Sequence, residues 1–161
     1  MAYQQQQQYQ SQQPMPTMGM QVNGGNRNAA GKPLNSNGKR DWSHGLCGCF
    51  ESCGTFCFAC FCPCIVHGKN KQRLSYLTEH GQPDHDGGSC CSGSCFAHCL
   101  LSSCGLSGFL QCSNRGDTRS RYGIDGGGCG DCCAAFCCAP CDLTQVSREI
   151  ELEEKSFGQR Y

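Results

Sequence analysis

Nineteen cysteines in 161 residues carry the chemistry of this chain. Nine of them fall into three sets of identical spacing: Cys49, Cys53 and Cys57; Cys91, Cys95 and Cys99; Cys133, Cys137 and Cys141. Positions i, i+4 and i+8 stack along one side of a helix, so each set predicts a column of sulfur on one helical face. Thiolates suit soft ions such as Zn2+, Cd2+ and Cu+. Cys57-x2-Cys60, Cys129-x2-Cys132 and Cys138-x2-Cys141 have the short spacing of zinc knuckles, and His67, three residues beyond Cys64, offers a nitrogen ligand. Each pair is embedded among further cysteines, so spacing singles out no four-ligand set. S-acylation beside apolar stretches and plain packing as a small apolar residue are the other uses of such thiols.

Disulfides within a stripe are disfavoured. Neighbours on one helical face hold their Cβ atoms about 5–6 Å apart, whereas a disulfide needs about 3.8 Å. Bridges between helices stay open. The cysteine count is odd, so at least one thiol is free or pairs with another molecule. The start, Met1-Ala2-Tyr3 and a glutamine run, lacks the basic and apolar regions of a secretory signal. The expected setting is therefore the reducing cytosol or the cytosolic face of a membrane, where dense cysteine points to metal, lipid or redox chemistry.

Thirteen basic and thirteen acidic residues cancel, which removes the electrostatic footprint a nucleic-acid binder needs. Charged residues make up 16% of the chain, against roughly 25% in soluble domains. No Ser/His/Asp constellation, phosphate loop or paired carboxylates stands out, and no enzymatic role is expected.

The elements that must position the sulfur follow from composition. Residues 1–40, rich in Gln, Asn, Gly and Pro, cannot bury enough apolar area to offset ordering entropy and are expected to be a disordered tail. A cysteine-rich domain is expected over 41–155 and a short tail over 156–161. Leu46 to Val66 forms the first apolar segment, and Pro63 should kink or end its helix at Cys62. A short helix is expected around Lys69–Leu77, then a polar loop over 78–89. Gly87 to Asn114 is a run of 28 residues without Asp, Glu, Lys or Arg. Its most apolar part, Phe96 to Leu110, reaches only about 22 Å as a helix, short of the roughly 30 Å of bilayer hydrocarbon. Basic residues flank it on both sides, so an apolar hairpin bending near Gly105 is expected, either re-entrant at a membrane or buried as core. Asp142 and Gln145 have capping-box spacing. Beyond them Leu143, Val146 and Ile150 share a helical face, Glu151 and Lys155 make an i,i+4 pair, and the Glu149/Glu151/Glu153/Glu154 cluster reads as a solvated face. The three stripes begin 42 residues apart, which suggests three related helical faces.

Phe56-Cys57-Phe58-Ala59-Cys60-Phe61-Cys62-Pro63-Cys64 resembles the cysteine-rich signature of the placenta-specific gene 8 family, which includes plant cadmium resistance and cell number regulator proteins. Arg119-Ser120-Arg121-Tyr122-Gly123-Ile124, Cys129-Gly130-Asp131-Cys132-Cys133, Phe136-Cys137-Cys138-Ala139-Pro140-Cys141, Gln145 and Arg148-Glu149 match its second half, so that the resemblance covers roughly residues 42–152. Phe56 stands where the signature usually has its first cysteine. The resemblance implies membrane association, at the plasma membrane, with roles in heavy-metal tolerance or efflux, calcium influx or control of cell number.

The combined expectation is a mainly α, small cysteine-rich helical domain with an apolar hairpin behind a disordered Gln-rich tail. It would sit at the plasma membrane with its ends on the cytoplasmic side, form a homo-oligomer, and bind zinc or another soft divalent cation, with no nucleic-acid partner. The candidate thiolates are Cys57, Cys60, Cys62, Cys64, Cys129, Cys132, Cys133, Cys137, Cys138 and Cys141. The contrasting expectation is a regulatory or interaction protein at a membrane whose cysteines are packed or acylated.

Overall fold

The computed structural model describes residues 25–158, and these are mainly α-helical. A 3-10 helix, Leu46–Ser52, leads into α1 (Cys53–Phe61). Then follow α2 (Pro63–His80), α3 (Gly93–Ser103), α4 (Ser107–Tyr122), α5 (Gly128–Cys137) and α6 (Ala139–Gly158). Most of the expected disordered tail, residues 1–24, lies outside the described residues, as do 159–161. The described part of that segment, 25–40, is laid against the domain as a strap of turns. Asn26 N–H donates to Ser156 Oγ at 2.7 Å, and Arg40 forms a parallel bridge with Ile124.

Proline and cysteine set the helix breaks. Pro63 takes the first position of α2, where its missing N–H costs nothing, and forces Cys62 out of helical geometry (φ −133°, ψ 62°). Leu46–Phe61 and Pro63–His80 therefore meet at a bend of 115°. Cys138 repeats the geometry (φ −147°, ψ 80°) just before α6, whose first turn holds Pro140. The third break, Cys104 to Leu106, turns on Gly105 at φ +71°, a left-handed conformation that glycine adopts without strain. The turn expected near Gly105 is present. Its second arm is not apolar, because α4 buries Gln111, Asn114, Arg115 and Thr118. The bent pair that carries a long apolar window is instead Leu46–Phe61 with Pro63–His80. Lys69–Leu77 is not a separate short helix but the middle of α2.

The helices form three pairs, each a short cysteine-rich helix followed by a longer charged one. Every short helix packs chiefly on the long helix of the preceding pair: α3 on α2, α5 on α4, and α1 on α6, which closes a ring. The long helices run in the same sense. Asn70 meets Leu143 and Arg73 meets Ser147, Lys71 meets Asp117, and Arg115 and Arg121 meet Asp142 and Glu153 in the same order. Two glycines permit close approaches between a short helix and the long helix it packs on. A Cβ on Gly68 would lie 2.7 Å from Ser92 Oγ, and one on Gly108 would lie 2.5 Å from the Phe136 ring. The breaks also cut the sulfur columns: Cys49 lies in the 3-10 helix, Cys91 precedes α3, and Cys141 lies beyond the Cys138 break. Only Cys53/Cys57, Cys95/Cys99 and Cys133/Cys137 keep one helical face.

The apolar core is small. Leu74, Leu77, Tyr122, Ile124, Val146 and Ile150 pack together with Trp42 and Phe157 against them, and Ala59, Val66 and Leu143 form a second cluster. Leu143, Val146 and Ile150 share the inward face of α6 as their spacing predicts, and Glu151 pairs with Lys155 at 2.6 Å. The other acidic residues of α6 depart from the solvated face expected of them. Glu149 and Glu153 are 2% and 1% exposed. Glu149 receives Arg40 at 2.5 Å and the Ser43 hydroxyl at 2.8 Å. Glu153 receives Arg121 at 2.7 Å and the Tyr122 hydroxyl at 2.8 Å, and Glu154 pairs with Arg73. The Asp142–Gln145 capping box is likewise absent, because α6 begins at Ala139 and both residues are buried inside it. Asp142 binds Arg115, and the Gln145 amide donates to His44 O.

Removing one partner of a buried pair leaves an uncompensated charge, at a cost of about 3–5 kcal/mol. Arg40→Ala is expected to lose that much stability in urea denaturation. Lys155→Ala, which opens an exposed pair, should lose no more than about 0.5 kcal/mol. Equal losses would mean that the strap contributes nothing through Glu149.

Candidate functional site

The ends of the ring differ in chemistry. Ion pairs join the C-terminal halves of α2, α4 and α6, whereas the short helices and breaks carry apolar groups that face outward. Phe61 is 85% exposed and Phe96 72%, with Phe50, Phe58, Leu100, Leu106, Phe109 and Phe136 also exposed. Isolated exposed apolar residues are ordinary; here they recur on every short helix and around the breaks, an unusual concentration for a folded domain. Local packing orients some of them. Phe50 and Phe56 rings lie 5.0 Å apart, and Phe109 meets Phe136 edge-on at 5.2 Å where Gly108 makes room.

The free thiols lie among these side chains. Cys57, Cys60, Cys129, Cys133 and Cys137 are exposed, and Cys62 and Cys64 are half-buried. Cys47, Cys53, Cys90, Cys91, Cys99 and Cys104 are exposed as well. Cys133 and Cys137 bring their sulfurs to 3.7 Å on α5. Of the ten thiolates expected from the sequence, three are in disulfides: Cys132 with Cys112, and Cys138 with Cys141. The first joins α4 to α5 with Cα atoms 4.9 Å apart, a bridge between helices. The second joins residues three apart, which is possible because Cys138 lies outside helical geometry and its Cα sits 5.3 Å from that of Cys141. Cys112, the partner of Cys132, carries no spacing signal, so sequence reasoning passed over it.

A resident zinc does not fit these residues. Among the described residues no three His, Cys, Asp or Glu side chains come together in a way that could hold a metal ion. His67 packs against the His98 ring, centroids 4.7 Å apart and planes tilted by 30°. Burial, reinforced by His98, pulls His67 down to about 4, so His67 is neutral at physiological pH, and burial lowers His98 as well. His98 in turn contacts Gln111 through Nε2 at 2.9 Å. Cys64 neighbours Cys95, whose thiol burial pushes up to about 11.

Beneath the sulfur-rich end, one arginine ties three helices. Arg115 donates to Asp142 Oδ1 at 2.8 Å and lies 3.4 Å from Asp131 Oδ1, with its guanidinium 4.1 Å over the Trp42 ring. Arg119 pairs with Asp131 at 3.0 Å. Along the same α4–α5 seam follow Cys112–Cys132 and then Gly108 against Phe136. No single described helix is long and apolar enough to cross a membrane; the bent pair Leu46–Phe61 with Pro63–His80 together holds an 18-residue window of that composition.

A family model described as the PLAC8 family matches residues 42–149. Cell number regulator 7 of Zea mays is 34% identical over 129 residues, spanning 74% of this chain and 65% of its own. Cell number regulator 9 of Zea mays is 34% identical, spanning 68% of this chain and 58% of its own. Protein PLANT CADMIUM RESISTANCE 1 of Arabidopsis thaliana is 35% identical, spanning 69% of this chain and 68% of its own. The chain thus spans about two thirds or less of the length of the two maize relatives. No solved structure matches it.

Asp142 gives the site a pH signature. Burial pushes its carboxyl up to about 6, against the restraining charge of Arg115. Between its ordinary 3.8 and about 6 the folded protein binds more protons here than the unfolded chain does. This group's contribution to stability is therefore fully present below that window and is lost as pH rises through it, by on the order of 1 kcal/mol per pH unit. Urea midpoints across the window should fall more steeply with pH in the wild type than in Asp142→Asn. Parallel slopes would show that Asp142 titrates as it does in the unfolded chain.

Proposed function

The chain belongs to the PLAC8 family, and we propose that it is a non-enzymatic, membrane-associated protein that handles soft divalent cations as cargo. It lies with its phenylalanine- and cysteine-rich end in the membrane interface and its ion-paired end in the cytoplasm, at the plasma membrane. The observation that carries this reading is the coincidence of exposed aromatic side chains and free thiols on the same short helices. Aromatic groups belong at the headgroup boundary, and buried ion pairs keep the other end in one shape. The 115° bend at Cys62 suits a segment that enters an interface and returns.

Relatives named for cadmium resistance support the choice of ion class. Cys57, Cys60, Cys62, Cys64, Cys129, Cys133 and Cys137 are the thiols that meet the ion. Cys132, Cys138 and Cys141 join them only after their disulfides are reduced. Thiols dispersed over a surface suit transient handling better than a fixed site, since a cargo ion must leave as well as bind. Several copies would assemble to make a conduit, each contributing its short helices.

Two measurements on the reduced full-length chain test this. Burying a phenylalanine is worth about 1.5–3 kcal/mol, so Phe61→Ser/Phe96→Ser/Phe109→Ser should weaken sedimentation with anionic lipid vesicles at least about tenfold. Unchanged sedimentation removes the interface. Cadmium titration followed by thiolate charge-transfer absorbance should show binding that Cys57→Ser/Cys60→Ser/Cys133→Ser/Cys137→Ser diminishes. Thioester-linked acyl groups on those cysteines, with no cadmium binding, would favour the regulatory, acylated alternative.

A further inference from the structure

Three sulfurs from two distant segments meet at the start of α6. Cys138 and Cys141 are disulfide-bonded, and Cys49 places its Sγ 3.5 Å from Cys141 Sγ. Cys49 is a free thiol although it is 2% exposed, and it reaches this point from the 3-10 helix, 92 residues away in sequence. Most of the other free cysteines are exposed; Cys49 is set apart by lying directly against one sulfur of a disulfide, the atom a thiolate attacks in exchange.

We propose that Cys49, Cys138 and Cys141 form a thiol–disulfide exchange centre. The Cys49 thiolate attacks Cys141 Sγ, and a Cys49–Cys141 bond forms as the Cys138–Cys141 bond breaks. The electron pair of the broken bond leaves on Cys138 Sγ, which takes up the proton that Cys49 released. One thiol and one disulfide enter and leave, so the step consumes no oxidant. Cys138 is suited to the leaving role. It immediately precedes α6, where the unpaired N–H groups of the first helical turn favour a thiolate. Half-buried, it is also the sulfur that thiols in solution can reach once it is released.

The two isomers constrain the molecule differently. A Cys138–Cys141 bond closes a loop within one turn and ties nothing together. A Cys49–Cys141 bond fastens the 3-10 helix to α6, beside the α1–α6 contact by which the ring closes. Phe50 and the phenylalanines of α1 belong to the arm so fastened, so exchange determines whether that arm is tethered or free to move from the bundle. The ligand class is a low-molecular-mass thiol–disulfide couple such as glutathione. Cys49 is not among the thiols assigned to cation handling, and Cys138 and Cys141 join those only when both are reduced.

Disulfide mapping of the full chain tests the proposal. Cys49 and Cys141 fall on different tryptic peptides, 41–69 and 122–148, whereas Cys138 and Cys141 share one. Protein equilibrated in mixtures of glutathione and glutathione disulfide is acid-quenched, alkylated, digested and fragmented in a mass spectrometer. Wild type should contain a Cys49–Cys141 cross-link. In Cys138→Ser, glutathione disulfide accepts the two electrons of Cys49 and Cys141, becoming two thiols, and the cross-link should become the majority species. In Cys49→Ser, residue 141 should be found bonded only within its own peptide, and Cys47→Ser should match the wild type. A folded Cys138→Ser protein, judged by circular dichroism, in which Cys49 and Cys141 both stay alkylatable overturns the proposal. Should that variant not fold, wild-type protein lacking the cross-link at every glutathione ratio overturns it as well.

Discussion

The buried carboxylates of α6 constrain everything around them. Glu149, Glu153 and Asp142 sit on the side of α6 that faces the molecule, where an ionised carboxylate persists only with a charged partner. The partners come from elsewhere: Arg40 from the strap, Arg121 and Arg115 from α4. A well-packed hydrophobic side chain could fill such a position at equal or better stability. What the ion pairs add is register, because each guanidinium fits its carboxylate at one level of the bundle. The strap, α4 and α6 are thereby held in one relative position by charge, and α2 joins them through Arg73 and Glu154.

That arrangement explains how so small an apolar core supports an aromatic surface. Phe50, Phe61, Phe96 and Phe109 would ordinarily be the natural filling of a helical domain, yet they face outward. Their places inside are taken by Leu74, Ile124, Val146 and Ile150 and by the charge-paired layer beneath. The short helices need not supply the core. They are left free to present sulfur and aromatic groups together, and the pairing of each with the preceding long helix fixes where that surface points.

Much of this was legible in the chain. Pro63 marks the break at Cys62, Gly105 marks a turn, and the spacing of Leu143, Val146 and Ile150 marks the inward face of α6. The threefold spacing of the cysteines foreshadows three helix pairs, although the pairs do not keep its 42-residue register: the third stripe crosses the break at Cys138. The failures have one physical origin. Glu149 looks solvated because its partner Arg40 lies 109 residues away, and periodicity within α6 cannot register a cation brought in from a strap. Asp142 looks like a cap because its local spacing is right, but Arg115 claims it from 27 residues upstream. The bond between Cys112 and Cys132 depends on the α4–α5 seam and has no local signature. Candidate thiols could be named from sequence; their sorting into exposed, half-buried and bonded groups is a property of the assembled ring.

The common direction of α2, α4 and α6 has an electrical consequence. Each helix carries a macrodipole equivalent to roughly half a positive charge at its N-terminus. At the breaks those charges are offset, because α1, α3 and α5 end there with roughly half a negative charge each, separated by one to three residues from the N-termini of α2, α4 and α6. The three negative ends of the long helices have no such neighbour in sequence and gather at the opposite end of the ring. Their last turns carry His80, Arg119 and Arg121, and Lys155, so basic side chains there answer a charge made by the backbone as well as the carboxylates beside them.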